Sequence, residues 1–459
     1  MSLRFGTDGI RGEANRELTP ELVTGIGRAA ARVLGTEQPF VVGRDTRRSG
    51  PMVEAALVAG LCAEGADVLL TGVLPTPAVA GLAHERGAAA AMITASHNPF
   101  TDNGVKLFAA GGRKLTDDVE RAIEHELRTL ATGTPSGPSG MGVGVAAEMR
   151  DALDRYVARI VAVLADRRLS DLRVVVDCGH GAAFRAAPRV LREIGVELEV
   201  LNAAPDGTNI NAGCGSTDPS ALQRAVVASG AQVGLAFDGD ADRLIAVDET
   251  GAVVDGDQLI AIAAFDLHER GLLRHDAVVI TQMSNGALHR ALAAAGIDVV
   301  EVEVGDRNVL DALATHDLSL GGEQSGHLIY SDLSTTGDGI LAAVALLDVL
   351  DGTGQPLSRL ASVVVRSPQE LRAVPVVDRR LLQADRDFWR TAQEARDELA
   401  DQGRILVRPS GTEAVVRVMV EASTEAQARA VADRLVAAVE QACGAPQPGG
   451  ARPPAGTSP

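Results

Sequence analysis

FVVGRDTRRSGPMVEAALVAGLCAEGADVLL, residues 40–70, decides the fold. An apolar strand runs into a polar loop, a helix follows, Gly65 closes it, and a second apolar strand begins. A glycine at that place suits the left-handed residue that ends many helices. The same order recurs twice. LRVVVDCGHGAA, FRAAPRVLREIG and VELEV fill 172–200, with Gly195 after the helix. AVVITQMSNGAL, HRALAAAG and IDVVEV fill 277–302, with Gly296 in that role. Short strands alternating with helices imply βαβ units and sheets that are at least partly parallel. Three such units predict an α/β protein with three tandem, related α/β domains and mixed sheets.

Boundaries follow composition. ATGTPSGPSGMGVG (131–144) reads as a linker, DETGAVVDGD (248–257) as a second break, and the pattern changes after SPQE (367–370). ILVRPSGTEAVVRVMVEAS then reads as strand, loop, strand, and TEAQARAVADRLVAAVEQA as an amphipathic helix with Thr424 as its N-cap. The expected domains are 1–145, 146–250, 251–368 and a smaller α+β domain at 369–445, followed by a disordered Pro/Gly-rich tail at 446–459.

The 459 residues are 46% hydrophobic and 23% charged, an ordinary globular composition. A net charge of −18 and 2% aromatic residues argue against nucleic acid as a partner, since phosphates are repelled and bases find few stacking platforms. No apolar run reaches the roughly 18 residues that span a bilayer, so no membrane partner is expected. MSLRFGTDGIRG lacks the apolar stretch of a leader peptide. Cys62, Cys178, Cys214 and Cys443 show no C-x-x-C pairing, which fits a reducing compartment, and a cytoplasmic location is expected. Of the 43 lysines and arginines only Lys106 and Lys114 are lysine.

Lys106 lies in the densest polar run, AMITASHNPFTDNGVKLF (91–108), with Ser96, His97, Asn98 and Asn103. A serine beside a histidine with a lysine close by suits a nucleophile or phosphate carrier among proton-transfer groups. An Asn-Pro turn satisfying its own backbone is the plainer account of this run alone. In VGLAFDGDADRLIAVDE (233–249) a strand ends in Asp238, Asp240, Asp242 and Arg243. Alternate side chains of extended chain share a face, so the carboxylates converge, and oxygen-only ligation points to Mg²⁺ or Ca²⁺. An EF-hand loop would place Glu249 at its twelfth position but needs glycine where Arg243 stands. An aspartyl-phosphate enzyme would use Asp238 as its nucleophile. GGEQSGHL (321–328) offers Glu323, Ser325 and His327, partners for sugar hydroxyls. RPSGTEAVVRV (408–418) offers Arg408, Ser410, Thr412 and Arg417 around Gly411, the makings of a phosphate cradle.

Taken in chain order, FGTDGIRG (5–12), GRDTRRSG (43–50), TASHNP with DNGVK (94–106), DGDADR (238–243), GGEQSGH (321–327), TTGDG (335–339) and RPSGTE (408–413) resemble the α-D-phosphohexomutase superfamily over nearly the whole chain. The resemblance implies four domains around a central cleft, three α/β and one α+β. It implies a phosphoserine at Ser96, with one Mg²⁺ per subunit held by Asp238, Asp240, Asp242 and a phosphoserine oxygen. Ser96 would pass its phosphate to a bound hexosamine phosphate and recover the other phosphate from a hexosamine 1,6-bisphosphate. Lys106, with His97 and Arg11, would manage the sugar hydroxyl's proton. Arg243, Glu323 and Ser325 would hold the sugar, and Arg408, Ser410, Gly411, Thr412 and Arg417 the phosphate that is not reacting. Gln324 points to an amino sugar, in the service of cell-wall precursors; mannose or glucose phosphate is the alternative. The chain departs from the usual family pattern at Ala414, Asn308 and Asp218, none of them in the serine or metal loops. A small sugar phosphate is the implied partner, and a homodimer is compatible with the pattern.

Overall fold

The computed structural model describes residues 9–132, 137–410 and 414–444. Gly411, Thr412, the start of FGTDGIRG and the 446–459 tail lie outside them. Four sheets account for the strands. The first contains β1 (Ile10–Glu13), β2 (Phe40–Arg44), β3 (Val68–Val73), β4 (Ala90–Ile93), β5 (Asp102–Ala109), β6 (Arg113–Lys114) and β7 (Ala146–Glu148). Their order is β1-β5-β4-β2-β3-β7, with β6 also on β5. The second contains β8 (Arg173–Asp177), β9 (Glu197–Leu201), β10 (Val233–Phe237), β11 (Leu244–Asp248) and β12 (Val253–Val254), ordered β12-β11-β10-β8-β9. The third contains β13 (Ala277–Thr281), β14 (Asp298–Val302), β15 (Leu320–Gly322) and β16 (Leu328–Tyr330), ordered β14-β13-β15-β16. The fourth is antiparallel, with β17 (Gln369–Pro375), β18 (Arg404–Pro409) and β19 (Val415–Glu421) ordered β17-β19-β18.

The repeat read from the sequence is real. In each of the first three sheets the βαβ unit makes a parallel pair: β2 with β3, β8 with β9, and β13 with β14. The connecting helices are Gly50–Ala63, Ala183–Glu193 and Gly286–Ala294. Gly65, Gly195 and Gly296 follow them with φ of 89°, 98° and 74°, as a helix-terminating glycine should. Each sheet then adds a further parallel strand and an antiparallel one: β4 and β5, β10 and β11, β15 and β16.

Burial explains the strand composition. Phe40 and Val42 of β2 join Val23, Ile26, Leu57 and Leu61 of the helices Pro20–Leu34 and Gly50–Ala63 in one core cluster. Val41, equally buried, faces the other side by the alternation of a strand. A strand covered on both faces reads as an unbroken apolar run.

The chain forms two compact units, 1–284 with 291–364, and 285–290 with 365–459. The first holds the three mixed sheets. β7 pairs with β3, so the first sheet reaches Glu148, past the boundary that composition suggests at 145. The second holds the antiparallel sheet and its own core, which includes Val374, Phe388, Val418 and Leu435. Its last helix, Glu425–Cys443, is capped by Thr424, whose side chain accepts the Gln427 N–H, as the sequence predicts. Among the described residues no helix is long and apolar enough to cross a membrane.

Candidate active site

The three mixed sheets place their polar loops alike. The β4–β5 connection carries Ser96, β10–β11 carries Asp238–Arg243, and β15–β16 carries Glu323–His327. Each joins a sheet's last parallel strand to its antiparallel neighbour, so three motifs occupy one topological position three times.

Ser96 sits in a turn with φ of 49°. A left-handed backbone costs a non-glycine residue about 1–2 kcal/mol, and hydrogen bonds hold it there. The Ser96 N–H donates to Thr94 Oγ1 at 2.9 Å. Its carbonyl accepts from Arg47 Nη2 at 2.7 Å and Asn211 Nδ2 at 2.9 Å. The Ser96 hydroxyl donates to Asp238 Oδ2 at 2.7 Å and lies 3.3 Å from His97 Nδ1. Neighbouring side chains do not ordinarily face each other, and sequence spacing alone leaves His97 without a reason to touch Ser96. The left-handed residue breaks the alternation and brings them together.

Asp238, Asp240 and Asp242 are all buried and present carboxylate oxygens within 4.8 Å of one another. They converge through a turn rather than the extended run expected from spacing. The Ala241 N–H donates to Asp238 O at 3.1 Å, and Ala241 itself is left-handed. Lys106, 4% exposed, bonds Asp240 Oδ2 at 2.7 Å and Asp242 Oδ2 at 3.0 Å. Thr76 Oγ1 donates to the same Asp240 oxygen at 2.6 Å. Burial first, then the two neighbouring carboxylates, pushes Asp238 well above the usual carboxylate range. Burial works upward on Asp240 and Asp242 too, but the Lys106 ammonium draws both below it. Asp240 Oδ1 and Asp242 Oδ1 are buried with no hydrogen bond among the described residues. Three hard oxygen donors, two of them orphaned, fit a divalent cation of the Mg²⁺ type. Glu249 accepts the Ser358 N–H at 3.2 Å and β11 occupies Leu244–Asp248, so no EF-hand forms.

Several further residues of this unit lie close to that core. Arg243 Nε lies 3.9 Å from Asp242 Oδ1. Crowding around the His97 ring, followed by the charges of Arg243 and Arg11, holds its pKa below the usual value. Arg11 lies on β1 opposite Gly104, two residues from Lys106 along β5. His327 is buried with Nδ1 3.8 Å from Asp242 Oδ1 and Nε2 3.8 Å from Asp306 Oδ2. Lys114 also pairs with Asp306. Glu323 Oε1 accepts the Gly305 N–H at 3.0 Å, and Ser325 is exposed. The Leu244 N–H donates to Gly326 O at 2.9 Å, tying the aspartate loop to the GGEQSGH loop.

In the second unit, Arg408 of β18 stands directly opposite Arg417 of β19. Ser410 is buried, and its N–H donates to Val415 O at 2.9 Å.

Sequence reasoning missed Arg47, Thr76 and Asn211. Arg47 stands in GRDTRRSG, and two adjacent arginines just after a buried strand were the one signal available. Thr76 and Asn211 gave none.

Three sheets of one topology, followed by a small antiparallel α+β module, define the class of protein. Its four parts match, in order, the family models for phosphoglucomutase/phosphomannomutase alpha/beta/alpha domain I (residues 2–133), domain II (154–251), domain III (255–366) and the C-terminal domain (371–438). The chain belongs to the phosphoglucomutase/phosphomannomutase family. It is 51% identical over 445 residues to the phosphoglucosamine mutase of Desulforudis audaxviator, covering 96% of this chain and 98% of that one. The phosphoglucosamine mutase of Salinispora arenicola is 50% identical over 448 residues, covering 96% and 99%. A solved phosphoglucomutase/phosphomannomutase family protein from Burkholderia thailandensis superposes with a TM-score of 0.81 at 27% identity, over 95% of this chain and 97% of that one. The Aspergillus fumigatus N-acetylphosphoglucosamine mutase, solved with GlcNAc-6P and magnesium, shares the fold with a TM-score of 0.69 at 18% identity, over 96% of each chain.

Proposed function

We propose that this chain interconverts glucosamine 6-phosphate and glucosamine 1-phosphate, as a mutase that keeps phosphate on Ser96. The observation that carries the reading is the Ser96 hydroxyl on Asp238 Oδ2 at 2.7 Å, at the edge of a buried three-carboxylate cluster. The preference for an amino sugar is supported by relatives about half identical over nearly the full chain, and by Gln324.

In the reaction, a hydroxyl oxygen of the sugar monophosphate attacks phosphorus on Ser96. The P–Oγ bond breaks, the sugar becomes the 1,6-bisphosphate, and the hydroxyl proton ends on the Ser96 oxygen. After the bisphosphate turns round, Ser96 attacks its other phosphate and the steps reverse. Mg²⁺, one per subunit, held by Asp238, Asp240, Asp242 and an oxygen on Ser96, would offset the charge gathering on the transferred group. Lys106, with His97 and Arg11 beside it, moves the sugar hydroxyl's proton and orients the phosphoryl group. Arg243, Glu323 and Ser325 hold the sugar; Arg408, Ser410, Gly411, Thr412 and Arg417 hold its distal phosphate as a bidentate arginine cradle with hydroxyls.

A side-by-side assay tests this, with Mg²⁺, a trace of bisphosphate, and glucosamine 6-phosphate, glucose 1-phosphate or mannose 1-phosphate. The amino sugar should win by at least tenfold in kcat/KM, about 1.4 kcal/mol, and Ser96→Ala should abolish turnover while leaving the melting temperature in place. A preference for glucose or mannose overturns the sugar assignment, and an active Ser96→Ala overturns the chemistry.

A further inference from the structure

The Ser96 carbonyl is gripped from two sides by residues far away in sequence. Arg47, 1% exposed, gathers four carbonyls of the serine loop. Its Nη2 donates to Ser96 O at 2.7 Å and Asn98 O at 2.8 Å, and its Nη1 to Asp102 O at 3.0 Å and to Pro99 O. Asp45 is its counterion at 2.8 Å. Asn211 reaches in from the second sheet's side. It lies between β9 and the helix Ser220–Ser229, left-handed at φ of 58°, with its own N–H on Gly179 O at 2.9 Å. Its Nδ2 donates to Ser96 O at 2.9 Å and Asn98 O at 3.4 Å. A Cβ on Gly239 of the aspartate loop would lie 2.5 Å from Ser96 O and 2.9 Å from Asn211 Nδ2. The Asn211 amide is therefore wedged where the serine loop meets the carboxylate loop.

We infer that Asn211, with Arg47, is a positioning residue for phosphoryl transfer. The pair clamps the Ser96 carbonyl, keeps the serine left-handed, and so aims its Oγ at Asp238. On the second side the grip comes from outside the serine loop, since Ser96 and Asn211 are 115 residues apart. The inference rests on Ser96 as the phosphate carrier.

The test is Asn211→Ala, Asn211→Asp and Asn211→Ser in the full chain, read as kcat and KM for glucosamine 6-phosphate, with Ser96 phosphate content by intact mass and melting temperature alongside. Asn211→Ala should lower kcat by about tenfold to a hundredfold, as small misplacements of a reacting atom do, while KM stays within about threefold. Asn211→Asp, which sets a carboxylate against two carbonyls, should lose more. Asn211→Ser keeps a donor and should recover part of the loss, which a residue that only fills space would not show. A kcat within twofold of the parent in Asn211→Ala, or no recovery in Asn211→Ser, overturns the clamp. A parent that turns over no hexose phosphate overturns the reading of Ser96 instead.

Discussion

At the scale of single residues, the fully buried pair of Arg47 and Asp45 sets the stakes for the serine loop. Burial drives Asp45 above its ordinary range, and Arg47 works against it through charge and hydrogen bonds. Thr94 Oγ1 donates to Asp45 Oδ2 at 2.7 Å and also receives the Ser96 N–H, so the carboxylate acts on the serine through one hydroxyl. Breaking a buried pair from one side leaves a charge with no compensation, which costs about 3–5 kcal/mol. Arg47→Met is expected to lose about that much, seen as a lower urea midpoint of the transition that carries the mixed sheets. A midpoint unchanged within error would show that removing Arg47 does not leave Asp45 as an uncompensated buried charge. The motifs that carry these residues were legible in the sequence, but their role was not, because it depends on register. Arg47 follows β2, Ser96 follows β4, and only the parallel pairing of those strands brings them together across 49 positions.

At the scale of elements, the repeated strand–helix–strand pattern was legible because it rests on burial, turn glycines and period alone. So were the serine run and the aspartate run, since each packs its chemistry into one short connection. What spacing could not supply was the shape of those connections. An extended reading brings three alternate aspartates to one face, whereas the chain uses a turn with Ala241 left-handed. The turn sets Gly239 against the serine loop, and that gives a sharp expectation. The groups a Cβ would meet there are the Ser96 carbonyl, the wedged Asn211 amide and the Ile210 Cδ1 methyl, and the first two are hydrogen-bonded to each other. Gly239→Ala should therefore lose kcat by about a hundredfold or more. It should also lose most of the thermal stabilisation that Mg²⁺ gives the parent, which by mass action is about 2.7 kcal/mol at a hundred times Kd. Differential scanning fluorimetry with and without Mg²⁺, after EDTA treatment, reads the second effect. An undiminished Mg²⁺ shift would show that the carboxylate loop keeps its shape without the glycine.

At the scale of the whole chain, the acidic balance and the near absence of lysine acquire a physical sense. A protein with a net charge of −18 that handles an anionic sugar needs local cations, and arginine supplies nearly all of them. Arginine stays charged at any working pH and binds phosphate through a planar fork. Lysine, a compact point charge, is found where a single ammonium must fit between carboxylates. Lys106 does this between Asp240 and Asp242, and Lys114 pairs with the buried Asp306 carboxylate. Neither ammonium is open to reagent, with side chains 4% and 11% exposed. Treating the native protein with an amine-reactive ester near pH 8 should therefore label neither lysine and leave mutase activity intact, while the same reagent in urea labels both. Peptide mass mapping reads the sites. Native labelling at Lys106 with activity retained would show that the ammonium between the two carboxylates is dispensable. Labelling at Lys106 with activity lost would show that the carboxylate loop opens far more often than its buried contacts allow.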